Sequence, residues 1–314
     1  MISLTEDKRM LGYESLSSYS NISHFVTTRR GGYSEGAYAS FNCSHYSGDE
    51  PERVCLNRKL LLEALPQSLV ELVVPVQTHG TEILHIEDTF TGLSPEQKEK
   101  SLYGIDALIT SEPGYCICIS TADCVPVLMY DRTHQAIAAV HAGWRGTVAH
   151  ILRGTLEKMH CIFGTEGKDV IACIGPSISL ESFEVGEEVY EAFKEQDFDM
   201  LRISTWNGQT GKHHLDLWEA NRIQLLSFGV PDSQIELSGI CTYTHCDEFF
   251  SARRLGIRSG RILSGIMLTS SGGSGRGIPI IEWKDWISVS VNPYWIAVAY
   301  NSSLVGDVLK NFRL

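Results

Sequence analysis

His79, Cys124 and His141 are the side chains whose types and settings point most directly to chemistry. Each falls where an apolar, strand-like run gives way to a turn, in "PVQTHGTEI", "TADCVPVLMYD" and "VHAGWRGTV". A strand that only fills a core continues in Val and Ile, so a thiol or imidazole at its end needs another explanation. Strand ends at a sheet edge project polar groups into a shared cleft. Two imidazoles and a thiolate suit zinc, whose catalytic sites take three protein ligands and leave one position for water. Water held there loses a proton near neutrality. Copper is the other candidate ion. The three residues lie far apart in the chain, so spacing alone also permits a plainer arrangement, with Cys124 a packed apolar thiol and the histidines satisfied by backbone. A third arrangement dispenses with the ion: Cys124 is a nucleophile and His141 its base, with Asp106 or Asp123 orienting the imidazole. His79 discriminates, because a dyad has no use for it.

The surroundings add charge and backbone freedom. Asp123 precedes the thiol and Arg145 follows His141 by four residues, within an otherwise apolar segment. Glycines at 80, 143 and 146 let the backbone approach a bound group. Arg29, at the bend "TTRRGG", offers a fork suited to phosphate or carboxylate; an ordinary ion pair is the alternative. In "CTYTHCDEFFSARR", Tyr243 and Thr244 are expected to line a pocket and Arg253 or Arg254 to meet an anion. A closed structural zinc site would draw a fourth ligand from Cys241 or His245. Cys116 and Cys118 share a strand face and read as core, while His213 and His214 are expected to precede a helix and cap it or face solvent.

The elements that must position these groups follow from periodicity. Strands are expected at 22–30, at 69–86 on both sides of "QTHG", and at "YGIDALIT", "YCICIS", "QAIAAVHA" and "DVIACIG". Helices are expected at 49–65, after "GWRG", at "VGEEVYEAFKEQ" and at "HLDLWEANRIQLLSFGV", the last closed by Gly229 and Pro231. Alternation without a strict repeat predicts a mixed α/β (α+β) fold, with one domain over residues 1–269. The linker-like "SSGGSGRG" sets residues 270–314 apart as a tail of unknown origin, to which no chemistry is assigned.

A net charge of -12 argues against broad nucleic-acid binding, which needs a basic face. The N-terminus lacks the pattern of a secretory leader, and no uncharged apolar run reaches the length of a membrane span. Nine scattered cysteines fit reduced thiols in the cytoplasm better than a disulfide framework.

The ordered motifs "VTTRRGGYSEG", "PVQTHGTEI", "GIDALIT", "TADCVPVLMYD", "VHAGWRGTV", "IGPSIS…FEVG", "LDLWEANRIQLLSFGV" and "FFSARRLGIRSGRILSGIML" make the chain resemble the YfiH-like, or laccase-domain, family over about residues 20–268. Val26 departs mildly, standing where an aromatic is common. The resemblance implies packed mixed β-sheets flanked by helices. It also implies a metal held by the histidine of "QTHG", the cysteine of "ADC" and the histidine of "HAGWRG", here His79, Cys124 and His141. Family members have been called multicopper polyphenol oxidases, and later purine nucleoside phosphorylases with adenosine deaminase activity. The implied substrates are phosphate and the nucleosides adenosine, inosine and methylthioadenosine. On that basis Asp106 or Asp123 would move protons at the purine, and Arg29 and Arg145 would hold phosphate. Multicopper oxidases build several centres from H-x-H pairs; none of the 11 histidines here stands in that pattern. Editing of cell-wall precursors by a Cys–His hydrolase and a binding protein with structural zinc remain the other expectations.

Overall fold

The expected strands join others that periodicity did not announce, Val125–Asp131 among them, in two six-stranded mixed sheets and a small three-stranded one. The computed structural model describes residues 1–269, so the tail expected at 270–314 lies outside the described residues. The first sheet runs Ile2–Ser3, Met10–Gly12, Ile22–Thr27, Ile262–Leu268, Tyr115–Thr121, Glu71–Val73. The second runs Ile235–Leu237, Val170–Ile174, Val125–Asp131, Ala136–Ala142, Ile105–Thr110, Glu82–His85. Glu184–Val185, Lys212–Leu215 and Ser204–Asn207 form the third. Most neighbours are antiparallel, but Glu71–Val73 pairs parallel with Tyr115–Thr121, Glu82–His85 with Ile105–Thr110, and Ile235–Leu237 with Val170–Ile174. The α+β architecture is therefore as the residue pattern predicts.

Period-two alternation sorts the central strands into layers. In Ala136–Ala142, residues Ala136, Ala138, Val140 and Ala142 join one apolar cluster, with Leu152, Leu156 and Met159 of the helix Ile151–Phe163 and Leu225 of the helix Leu217–Phe228. Ile137 and Ala139 face the other way, against Ile117, Ile119 and Ile266 of the first sheet. The outer face of that first sheet, with Phe25, Cys116 and Cys118, is covered by Leu61 of the helix Pro51–Ala64. The layers run helix, sheet, sheet, helices. His141 shares the parity of Ile137 and Ala139 and so points between the two sheets.

Two local expectations change. The single helix expected after "GWRG" is two, Trp144–Val148 and Ile151–Phe163, separated by His150 in the left-handed region at φ 56° and stacked on Phe198 at 5.1 Å. The break keeps the short helix against the strand ends while the long one lays its apolar residues over the sheet. His213 and His214 precede the helix Leu217–Phe228 but do not cap it: both lie in the strand Lys212–Leu215, paired with Glu184–Val185, and Asp216 accepts the Glu219 amide at the helix start. His213 stacks on Tyr190 at 3.7 Å between ring centres, which accounts for its place on a small sheet that carries little aliphatic core of its own.

Candidate metal centre

Two sheet-crossing turns and one strand end converge at the same edge of the sandwich. The chain leaves the first sheet after Val73 and enters the second at Glu82, and His79 lies in that crossing. It crosses again between Thr121 and Val125, and Cys124 ends that turn. Gln77 ties the crossings together, its Nε2 donating to the Ser120 carbonyl (2.9 Å) and its Oε1 accepting from the Ser120 amide (2.7 Å). His141 is supplied by Ala136–Ala142, opposite Pro126.

Asp106 organises the ligands. The register Ala107↔Val140 brings Asp106 beside His141, whose Nδ1–H donates to Asp106 Oδ1 at 2.7 Å. The same carboxylate accepts the amides of Thr78 (3.2 Å), His79 (3.0 Å) and Gly80 (2.7 Å). It thereby sets the "QTHG" turn and leaves His141 Nε2 as the ring's remaining ligand nitrogen. His79 and Asp123 occupy the left-handed region, at φ 62° and 85°, at a typical cost of about 1–3 kcal/mol each for a non-glycine residue. Hydrogen bonds hold both: the His79 amide to Asp106, and the Asp123 carboxylate accepting from Thr242 Oγ1 and the Arg253 amide, each at 2.7 Å.

The ligand atoms of His79, Cys124 and His141 all lie within 4.8 Å of one another. With metal–ligand bonds of about 2.0–2.3 Å, one ion bridges that spread after a small inward shift. The imidazole rings meet edge to face, their centres 4.9 Å apart. Burial opposes ionisation of the Cys124 thiol, but the adjoining His141 and His79 outweigh it and bring its pKa down. Burial likewise opposes charging of His141, and Cys124 and Asp106 outweigh that and raise its pKa. The thiol is thus poised as a thiolate, the form in which cysteine ligates metals or attacks carbon. A Cβ on Gly143 would fall 3.0 Å from Cys124 Sγ and 3.1 Å from His79 Cδ2, so any larger residue there would press on both side chains. The donor set and the cradle both fit a single zinc- or copper-sized ion.

The trio forms part of the wall of a cavity of about 130 Å³, together with Trp144, Arg145, Ile178, Phe183, Leu217 and Arg261. Of the residues singled out for substrate, Arg145 lines this cavity, with its guanidinium 4.4 Å from the Trp144 ring centre. Arg29 does not. It donates to the carbonyls of Ala39 and Cys246, lies over Phe250, and opens onto a separate surface groove with Arg30 and Asp247. Tyr243 is also absent from the cavity wall; Arg254 stacks on it at 5.1 Å. Asp106 is fully buried and Asp123 nearly so, and the bonds already described engage both carboxylates; Asp123 also lines the cavity. Cys241 and His245 do not join the trio: Cys241 Sγ sits near the Ser179 amide and Ser182 Oγ. Arg261 was not legible from its neighbours, since "IRSGRIL" reads as an ordinary strand entry; only its pairing across the sheet brings it to the site.

Comparison with known proteins places these features in a lineage. Residues 23–269 match the family model described as multi-copper polyphenol oxidoreductase laccase. A Bacteroides thetaiotaomicron protein named purine nucleoside phosphorylase is 70% identical over 268 residues, covering 85% of this chain and 99% of that protein. A protein named adenosine deaminase RL5, from an unknown prokaryotic organism, is 42% identical over 79% of this chain and 95% of its own length. The crystal structure of YlmD from Geobacillus stearothermophilus superposes with a TM-score of 0.76 at 30% identity, covering 85% of this chain and 98% of that one.

Proposed function

Since this chain belongs to the multi-copper polyphenol oxidoreductase laccase family, we propose that it is a zinc-dependent purine nucleoside phosphorylase that also deaminates adenosine. The observation that carries this reading is the meeting of His79, Cys124 and His141 within 4.8 Å on the wall of a cavity. The names borne by relatives at 70% and 42% identity support the substrate class. The substrates are adenosine, inosine and methylthioadenosine with phosphate, and the products are the free base and a ribose 1-phosphate. Zinc is favoured over a copper cluster because, among the described residues, this trio is the one group of side chains spaced to ligate, whereas multicopper chemistry needs several. All nine cysteines are free thiols, which supports a reducing compartment such as the cytoplasm. Among the described residues no helix is long and apolar enough to cross a membrane.

A bound zinc ion supplies a Lewis-acid centre with one position left for an outside ligand. The chain's own residues do the positioning. Asp106 holds the proton on His141 Nδ1 and keeps the "QTHG" turn in place. Trp144, Ile178, Phe183 and Leu217 offer apolar walls that shed water from a flat base. Arg145 adds a cation to the same cavity.

Metal analysis of the purified protein, with Cys124→Ser and His79→Ala alongside, tests the reading. We expect about one zinc per chain, lost in both variants, and phosphate-dependent release of base from adenosine that falls by roughly 100-fold or more in each. Zinc retained without base release sinks the phosphorylase assignment. A second reading rests on the lowered Cys124 thiol beside the raised His141 imidazole: a Cys–His hydrolase acting on cell-wall precursors. It predicts activity that survives His79→Ala and chelation but not Cys124→Ser.

A further inference from the structure

Arg261 stands one residue before the strand Ile262–Leu268, whose register pairs Ile262 with Thr121. That places the arginine beside the "TADC" turn, and it lines the same cavity as Cys124 and His141. Its guanidinium is half-buried. Among the described residues its hydrogen bonds run to its own turn, to the carbonyls of Ile257 (3.0 Å), Ser259 (2.6 Å) and Gly260 (3.1 Å) and weakly to Ser259 Oγ (3.5 Å), and no carboxylate pairs with it. The nearest acid on that turn, Asp123, is engaged by Thr242 and the Arg253 amide. Cys124 and Asp123 supply part of its counter-charge at a distance, but no anionic side chain pairs directly with the guanidinium, which lines the cavity and leaves a charged fork for an anion that enters it.

The surrounding loop is built to hold it there. The Arg261 amide donates to Asn42 Oδ1 (3.0 Å), and the fully buried Asn57 donates to the carbonyls of Asn42 (2.8 Å) and Ser40 (3.1 Å). The loop so pinned also brings Ser44 and Tyr46 to the cavity.

We infer that the Arg261 guanidinium is the phosphate-binding group of this cavity, in the place that sequence reasoning assigned to Arg29. The inference rests on the phosphorylase reading for its chemistry. An oxygen of hydrogen phosphate forms the bond to the anomeric carbon, and the glycosidic C–N bond breaks. The bonding pair leaves on the base nitrogen, which takes the phosphate's proton, giving neutral base and ribose 1-phosphate. A guanidinium fork suits the phosphate because it binds two oxygens at once.

The test is calorimetric titration of the zinc-loaded full chain with inorganic phosphate, for wild type, Arg261→Gln, Arg261→Lys and the exposed Arg30→Gln. Wild type is expected to bind one phosphate per chain. Arg261→Gln should weaken binding by about 10-fold or more, Arg261→Lys by less, and Arg30→Gln by under about twofold, with zinc content constant throughout. In turnover, Arg261→Gln should raise KM for phosphate and leave KM for the nucleoside unchanged. Wild type that binds no phosphate, or Arg261→Gln that binds as well as wild type, overturns the inference. So does loss of zinc together with phosphate in the well-folded Arg261→Lys, which would make the arginine a counter-charge to the thiolate. If phosphate binds through Arg261 but no base is released, the anion site stands and the phosphorylase reading falls.

Discussion

The carboxylate of Asp106 accepts from three consecutive amides of the "QTHG" turn and from the ring of His141. One buried acid therefore fixes the positions of two of the three candidate ligands, His79 and His141. Burial disfavours its charged form, yet these donors outweigh that and hold its pKa below the usual range. An asparagine has nearly the same shape but turns an amide toward at least one of the four donors. Asp106→Asn is expected to lower zinc affinity by about 10- to 100-fold, as loss of outer-shell partners typically does. A competition titration against a chromogenic chelator measures it, and unchanged affinity in a folded variant would remove Asp106 from this role. The residue types were readable in the chain, but the bond was not, because an acid in "GIDALIT" and an imidazole in "VHAGW" meet only across a strand pair.

At the scale of elements, the site depends on turns that cross between sheets and on strands whose ends stay in register. The edge next to Met10–Gly12 is locked by His24, whose Nε2 accepts the Tyr13 amide at 2.8 Å. Burial pushes the His24 pKa down to about 4, against an unfolded value near 6.5. The unfolded chain therefore binds the extra proton first as pH falls. Stability is fully present above about pH 6.5 and declines from there toward pH 4, by up to about 3 kcal/mol from this residue. His24→Gln keeps an acceptor for the amide without titrating, so its melting temperature should vary less with pH between 4 and 6.5. Parallel slopes for the two proteins would contradict this. The broken helix at His150 belongs to the same scale: the apolar spacing of "TVAHILRGTLEKM" was legible, but the break follows from holding Trp144–Val148 against the site.

At the scale of the whole molecule, the ends of the described chain close the first sheet. Ile22–Thr27 pairs with Ile262–Leu268, which in turn pairs with Tyr115–Thr121 leading to Cys124. We propose that residues 1–269 form one domain that folds without the residues after it; the family match covers residues 23–269. A chain ending at Thr269 should melt within a few degrees of the full chain and keep its zinc. One ending before Ile262 should not fold, since it strips the central strand from a six-stranded sheet. Scanning calorimetry of the two truncations decides it; a large loss of stability in the chain ending at Thr269 would assign residues 270–314 a part in the fold.

How the sheets and helices layer was not legible from periodicity, but the pattern did pick out several strands, among them Ala136–Ala142 and Val170–Ile174, and the helices Pro51–Ala64, Glu187–Glu195 and Leu217–Phe228, because side-chain period and burial are properties of neighbouring residues. The same holds for the types of the three candidate ligands, each announced by a reactive side chain at the end of an apolar run. Tertiary structure alone decided who meets whom. Arg29 and Arg261 look alike in the chain, both arginines within two residues of a glycine. Only the register of Ile262 with Thr121 carries Arg261 to the cavity, while the bend after Thr27 turns Arg29 to a different surface. Pairing between distant strands places a side chain by geometry that no short window of sequence contains.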